Sequence, residues 1–335
     1  MKRILVFAAT GAMGYPLVET ISQNSDYEVY ATSRKEHHSD QIHWLHGNGK
    51  DLAWARKIIT EYKFDGIIDF LNYQTEEFRN RYEFLLSNTS HYIFLSSARV
   101  YAPCNGLITE ASPRILDICA DEEYLSKDSY DLAKARCENL LNTSKFENYT
   151  IIRPSLTYNS DRLQFTIFEK DEWMYRILDG NSIIFPAEMS NVQTTMTYGR
   201  DVAYVISKLM LNPNTFGETY NVSGGGSRTW GEVLDIYCKA IKENSHYLPK
   251  VIRIHNVEQV VKNLNRYNQY KYARGISRCF SNRKVESILG KINWSTMEEG
   301  LTSCIQFFFQ SGAHVTNPSF RMAAYFDRLT NECTP

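Results

Sequence analysis

Residues 4–14 read ILVFAATGAMG, an apolar run that ends in two glycines three positions apart, Gly11 and Gly14. A short continuous run of branched and aromatic residues is what a strand buried on both faces requires. Glycine directly after it lets the backbone turn tightly, and Pro16 falls in the first turn of the helix that should follow, where a missing N–H is tolerated. Strand, glycine turn and helix N-terminus in succession aim backbone amides and the positive end of a helix dipole at one point, an arrangement that holds phosphate. The same residues also serve as an ordinary strand-to-helix turn, so the rest of the chain has to decide between the two.

Outward from that point, short β-branched runs at 3–7, 28–32, 42–45, 66–70, 92–96 and 150–153 alternate with amphipathic segments at 13–23, 52–62, 75–86 and 129–143. That rhythm predicts βαβ units and an α/β fold with a doubly wound parallel sheet. After Pro154 it breaks: 155–193 is rich in aromatic residues without a clean period, 200–211 reads as a helix and 218–222 as a strand. Beyond SGGGS (223–227), helices are expected at 230–242, 257–265 and 297–310. The expected organisation is a nucleotide-binding domain over 1–157, to which 194–223 returns, and a smaller substrate-binding part made of 158–193 and 224–335.

Among 335 residues, 37 Lys and Arg nearly balance 38 Asp and Glu, which removes the field that drives nonspecific nucleic-acid binding. Nucleic acid is therefore not an expected partner. The seven cysteines are scattered and form no CxxC pair, which reads as reduced thiols in the cytoplasm. No run of 18 apolar residues predicts a membrane span, and the basic start of MKRILVF leads into a strand rather than a cleavage site. His37, His38, His43 and His46 straddle a loop and a strand, so they read as a polar edge and no metal site is expected. Arg274 and Arg278 read as an exposed charged loop or as substrate-phosphate contacts, and FFFQ (307–310) as a packed helix face.

The second strand ends in ATSR, with Ser33 and Arg34 where a carboxylate would suit the ribose of NAD. A hydroxyl and a guanidinium suit a 2′-phosphate, so NADP is favoured over NAD; Arg34 also reads as an ordinary solvated charge. YDLAK (130–134) puts a phenol and an ammonium on one helix face, where the cation favours a phenolate and fits Tyr130 to act as acid or base. Tyr267 and Lys271 repeat the spacing, but in a polar stretch (NRYNQYKYARG) that reads as a surface helix. Only Tyr130 follows a strand, YIFLSS, that delivers Ser97 at its C-terminal end, where open α/β sheets carry their chemistry.

ATGAMG (9–14), FLSSARVY (94–101), YDLAK and IIRPSLTY (151–158), in this order and spacing, resemble the extended short-chain dehydrogenase/reductase superfamily, which includes the sugar-nucleotide epimerases and dehydratases. The resemblance implies a Rossmann domain with Ser97, Tyr130 and Lys134 catalytic: Ser97 bonds the reacting oxygen, Tyr130 moves the proton, and Lys134 also holds the nicotinamide ribose. It implies cofactor contacts from Thr10, Gly11, Ala12, Met13, Gly14, Ser33, Arg34, Asn48, Leu71, Lys134 and Pro154. Ala8 departs from the usual glycine, Ala98 and Arg99 replace the acidic pair of dehydratases, and Leu156 replaces a substrate-positioning asparagine. IIRPSLTY and TTMTYGRDVA (194–203) resemble a bacterial and plastid branch that also contains chloroplast stem-loop RNA-binding proteins. The expected function is an NAD(P)-dependent epimerase or reductase of a nucleotide sugar, with a homodimer paired through helices 75–86 and 129–143; the alternative is a non-catalytic NADP-binding regulatory or RNA-binding protein.

Overall fold

The apolar runs pair side by side in one parallel sheet: β1 (Lys2–Phe7), β2 (Tyr27–Ser33), β3 (Ile42–His46), β4 (Gly66–Asp69), β5 (His91–Leu95), β6 (Tyr149–Pro154) and β7 (Glu218–Val222). Their order is β7-β6-β5-β4-β1-β2-β3. The computed structural model describes residues 1–311 and 320–332. Its first unit comprises Met1–Ser155, Gly199–Ser223 and Phe280–Asn293; its second comprises Leu156–Tyr198, Gly224–Cys279 and Trp294–Pro335.

The middle strands are largely apolar because both faces of the sheet are covered. Ile4, Leu5, Val6 and Phe7 are all fully buried. Leu5 and Phe7 meet Ala55 and Ile58 of α2 (Leu52–Tyr62), Phe78 of α3 (Thr75–Arg79), Leu85 of α4 (Tyr82–Ser87), and Cys137 and Leu141 of α5 (Tyr130–Asn142) in one core. By strand alternation Ile4 and Val6 face the other way. Helix α1 (Gly14–Ser22) and helix Gly199–Leu209 pack on each other in the same unit. The sheet is doubly wound, as the alternation predicts, and strand order reverses between β1 and β4, where such sheets open a crevice at their C-terminal ends.

Several elements differ from the sequence reading. The expected helix over 75–86 is two helices, because Arg81 turns inward at the break. Its guanidinium donates to the carbonyls of Gly49 (3.0 Å) and Lys50 (2.5 Å) and to the Tyr73 hydroxyl (3.0 Å). Residues 280–293 belong to the first unit: Lys284 pairs with Glu218 at 2.6 Å, and the Asn282 side chain accepts the Ser223 amide. Residues 194–198 fall in the second unit because Met196–Tyr198 pairs in parallel with Leu156–Tyr158.

In that second unit the aromatic-rich segment is a core of its own, with Phe165, Trp173, Phe185, Trp230 and Tyr237 buried together. Ile183–Pro186 pairs with Val251–Ile254, and helix Trp230–Ser245 packs on helix Met297–Gln310. Phe308 is buried there while its neighbour Phe307 is 56% exposed, so only part of the FFFQ run is a packed face. Helix Phe320–Glu332, absent from the sequence reading, buries Phe326 and ties Asp327 to Arg176 at 2.7 Å. No described helix is long and apolar enough to cross a membrane.

Candidate active site

The glycine loop takes its shape from three contacts. Ala8 stands in the left-handed region (φ 53°), the conformation for which glycine is the usual residue. Its amide donates to Thr32 Oγ1 (3.0 Å), and the Ala9 amide donates to the Thr32 carbonyl (3.2 Å), so the end of β2 braces the turn. A Cβ on Gly14 would lie 2.7 Å from the Ala9 carbonyl oxygen, which makes glycine obligatory for α1 to start so close to β1. A Cβ on Gly11 would meet only Ala8 O, at 3.9 Å; the fold itself does not need that glycine. Met13 at the N-cap makes no side-chain cap, so no N-cap side chain satisfies the first amides of α1.

At the ends of β2 and β3, Ser33 is buried and its Oγ accepts the Lys35 amide at 3.0 Å, while Arg34 is exposed. Asn48 is also exposed; its Oδ1 accepts the Lys50 amide at 3.1 Å, and Asp51 caps α2 through the amides of Ala53 and Trp54.

The expected catalytic residues come from β5 and from the start of α5. Tyr130 is the first residue of that helix and is 36% exposed. Lys134, one turn on, is 2% exposed, and its ammonium donates to the carbonyls of Leu71 (3.2 Å), past β4, and Leu95 (2.5 Å), the last residue of β5. Its Nζ lies 4.7 Å from the Phe94 ring centroid and 6.0 Å from that of Tyr130. Ser97 Oγ accepts the Arg99 amide (3.1 Å), capping the turn Ala98–Val100. Pro154 ends β6 beside Val222.

Three supporting residues were given no role in the sequence reading. Asp69, fully buried at the end of β4, accepts the Leu71 amide (2.9 Å) and the hydroxyls of Tyr73 (2.8 Å) and Tyr92 (2.9 Å), which fixes the turn that presents the Leu71 carbonyl to Lys134. Burial raises its pKa from the usual carboxylate value. An acid inside the otherwise apolar run IIDF was the available signal.

Glu138, also fully buried, accepts from Ser96 Oγ (2.6 Å), Arg153 Nε and NH2 (2.8 and 2.7 Å) and Arg114 NH1 (3.1 Å). It stands four residues after Lys134 on α5, and its partners Ser96 and Arg153 immediately precede Ser97 and Pro154. The third is Arg99, whose guanidinium carbon lies 5.0 Å from the Tyr130 ring centroid.

Other sequence candidates separate from this cluster. Tyr267 and Lys271 lie in the second unit, where Tyr267 is half-buried against the core at the head of a short helix running into a π-turn, not on a surface helix. Arg278 is buried rather than in an exposed loop, with its NH2 on the Tyr272 carbonyl at 2.7 Å; Arg274 donates to the Thr166 carbonyl at 2.9 Å. Three of the four histidines have separate partners: His43 stacks on Tyr30, the tilted His37 ring lies 4.5 Å from that of Trp44, and His46 Nε2 is 3.1 Å from the Arg34 carbonyl.

No protein-family model and no curated protein matches the chain in sequence. Solved structures do match in shape. The dTDP-glucose 4,6-dehydratase of Bacillus anthracis, in complex with NAD, superposes with a TM-score of 0.68 at 16% identity over 92% of this chain and 97% of that one. The UDP-glucuronic acid 4-epimerase of Bacillus cereus, in complex with UDP-glucuronic acid and NAD, gives 0.69 at 14% identity over 93% and 100%. An epimerase from Methanothermobacter thermautotrophicus gives 0.70 at 14% identity over 93% of each chain. What the chain shares with these enzymes is the fold, a doubly wound parallel sheet flanked by helices.

Proposed function

We propose that the protein is an NAD(P)-dependent epimerase or reductase acting on a nucleotide-activated sugar. The observation that carries this reading is the buried Lys134 ammonium. It joins the ends of β4 and β5 on the same helix face as Tyr130, and Ser97 follows at the end of β5. A helix with a small structural role has no need to bury an ammonium among carbonyls.

The residues present fit a dinucleotide. The uncapped start of α1 suits a pyrophosphate, with Thr10, Gly11, Ala12, Met13 and Gly14 around it. Gly11, which the protein's own packing does not require, keeps the loop backbone open to close approach. Asn48 and Leu71 flank the crevice at the strand ends, Pro154 ends β6, and Lys134, with two of its three N–H groups engaged, has one left for a ribose hydroxyl. Exposed Arg34 beside Ser33 favours a 2′-phosphate, hence NADP, whereas the dehydratase and the UDP-glucuronic acid 4-epimerase above carry NAD. The nicotinamide, when bound, supplies the acceptor and donor of a hydride.

The chain's residues manage the proton. Because Ser97 Oγ already accepts the Arg99 amide, its own O–H is left to donate to the reacting sugar oxygen. Tyr130, exposed at the helix start with the Lys134 ammonium 6.0 Å from its ring centroid, takes the proton from that oxygen and returns it. Ala98 and Arg99 supply no acid–base pair for loss of water, which favours epimerisation or reduction over dehydration. The second unit is the substrate-binding part in this reading, and α5 with the α3–α4 pair would form a homodimer face, to be checked by light scattering at micromolar concentration.

The test is turnover over a panel of nucleotide sugars with NAD(H) and NADP(H). Tyr130→Phe should lower it by roughly 10²-fold or more with cofactor affinity retained, while Tyr267→Phe should leave it unchanged. Equal behaviour of the two variants refutes the assignment. Cofactor retained through purification, seen by mass spectrometry, would select the epimerase over the reductase.

A further inference from the structure

We infer that Arg99 is the specificity-determining residue of this site and that it takes a carboxylate on the sugar, so that the substrate is a nucleotide-activated uronic acid. This rests on the nucleotide-sugar reading above. The guanidinium of Arg99 lies 5.0 Å from the centroid of the Tyr130 ring, on the turn that follows Ser97. Its Nε is buried and has no hydrogen-bond partner.

One carboxylate stands near it: Asp131, at 3.8 Å from NH2, beyond hydrogen-bond distance. That carboxylate is already satisfied by the Tyr124 hydroxyl and by Ser129 Oγ (2.9 Å). The buried arginines of the first unit are engaged, Arg81 with two carbonyls and a hydroxyl, Arg153 with Glu138 and Tyr101, whereas the Arg99 side chain is 29% exposed. Arg99 is the exception, a planar fork of donors held beside the residue that touches the sugar hydroxyl.

A buried donor without a partner is costly, and a guanidinium is built to grip an oxyanion with two parallel bonds. A nucleotide sugar offers two oxyanions, the diphosphate and, in uronic acids, the sugar carboxylate. The diphosphate hangs from the anomeric carbon, whereas a uronic carboxylate sits on the carbon next to a ring hydroxyl. A cation within one ring's reach of Tyr130 therefore meets the carboxylate when Tyr130 works on that neighbouring hydroxyl. Arg99 also occupies the place where a dehydratase would need an acid, and an acid there would repel such a substrate.

The experiment is calorimetric binding of UDP-glucuronic acid and of UDP-glucose to the full-length protein saturated with its cofactor, for the parent, Arg99→Lys and Arg99→Met. The expected result is that the parent prefers UDP-glucuronic acid by about 10- to 100-fold. Arg99→Met should abolish that preference without weakening UDP-glucose, and Arg99→Lys should restore part of it. If Arg99→Met weakens both ligands by the same factor, the residue serves the diphosphate and the inference is overturned. If binding is unchanged but the pH profile of turnover moves, Arg99 acts on Tyr130 alone and the inference is equally overturned. If the parent binds neither ligand while still binding the cofactor, the nucleotide-sugar reading itself falls.

Discussion

Replacing Glu138 by glutamine should destabilise the first unit more than any surface change, and the size follows from its partners. The carboxylate is fully buried and accepts four hydrogen bonds, three of them from the guanidinium groups of Arg114 and Arg153. Burial disfavours the Arg153 charge, yet Glu138 more than offsets this and holds that pKa above its usual value. An amide keeps one acceptor oxygen and turns an N–H₂ toward guanidinium donors, leaving positive charge buried and unpaired. Breaking a buried pair on one side costs about 3–5 kcal/mol.

A cooperative unit of roughly 150–250 residues shifts its midpoint by about 2–4 °C per kcal/mol, so its transition should fall by about 6–20 °C. Differential scanning calorimetry is the assay, since two units can melt separately. A double replacement, Glu138→Leu with Arg153→Met, should cost less than the sum of its single variants, by about 1–3 kcal/mol. A shift under about 2 °C for Glu138→Gln, or strict additivity in the cycle, would refute the account of the triad as mutually compensating charge.

The glycine loop offers a paired test. Gly14→Ala should disrupt folding and cofactor binding together because its Cβ meets backbone, whereas Gly11→Ala should leave the melting temperature unchanged and weaken only the cofactor; thermal shift with and without NAD(P)H separates them. Ala8→Gly should raise stability by about 0.5–1 kcal/mol, the left-handed strain of alanine less the added freedom of the unfolded chain, and a loss in urea titration would contradict it.

His91 is held neutral: burial lowers its pKa to about 4, and its Nδ1 accepts the Leu211 amide at 2.9 Å, so a proton there would face another donor. A depressed folded pKa means the stability is whole above about pH 6.5 and is lost as pH falls toward about 4, by about 3 kcal/mol in all. His91→Asn should be weaker at neutral pH but flatter across that window, and parallel curves would remove His91 as the cause. Finally, NADPH should bind more tightly than NADH and Arg34→Ala should narrow the gap; equal affinities in the parent would count against the 2′-phosphate reading.

How much of this was legible in the chain divides by range. Strand and helix periods are local, so the alternation that makes a doubly wound sheet could be read in windows of a few residues, and with it the C-terminal strand ends that carry Gly11, Ser33, Asn48, Leu71, Ser97 and Pro154. The YxxxK spacing was equally local, but spacing alone could not separate Tyr130 from Tyr267; the preceding strand did.

What the tertiary structure alone decided depends on residues far apart in sequence. Arg81 ends a helix because carbonyls some 30 positions earlier lie within its reach. Glu138 gathers Ser96, Arg114 and Arg153 around one buried carboxylate, and Asp69 holds the turn that receives Lys134. Met196–Tyr198 leaves the first unit only because Leu156–Tyr158 is there to pair with it. A charged residue in the sequence carries no sign of whether it will be solvated, as Arg34 is, or buried, as Arg278 is. Burial is set by what packs around a side chain, and those neighbours come from segments that no local pattern connects.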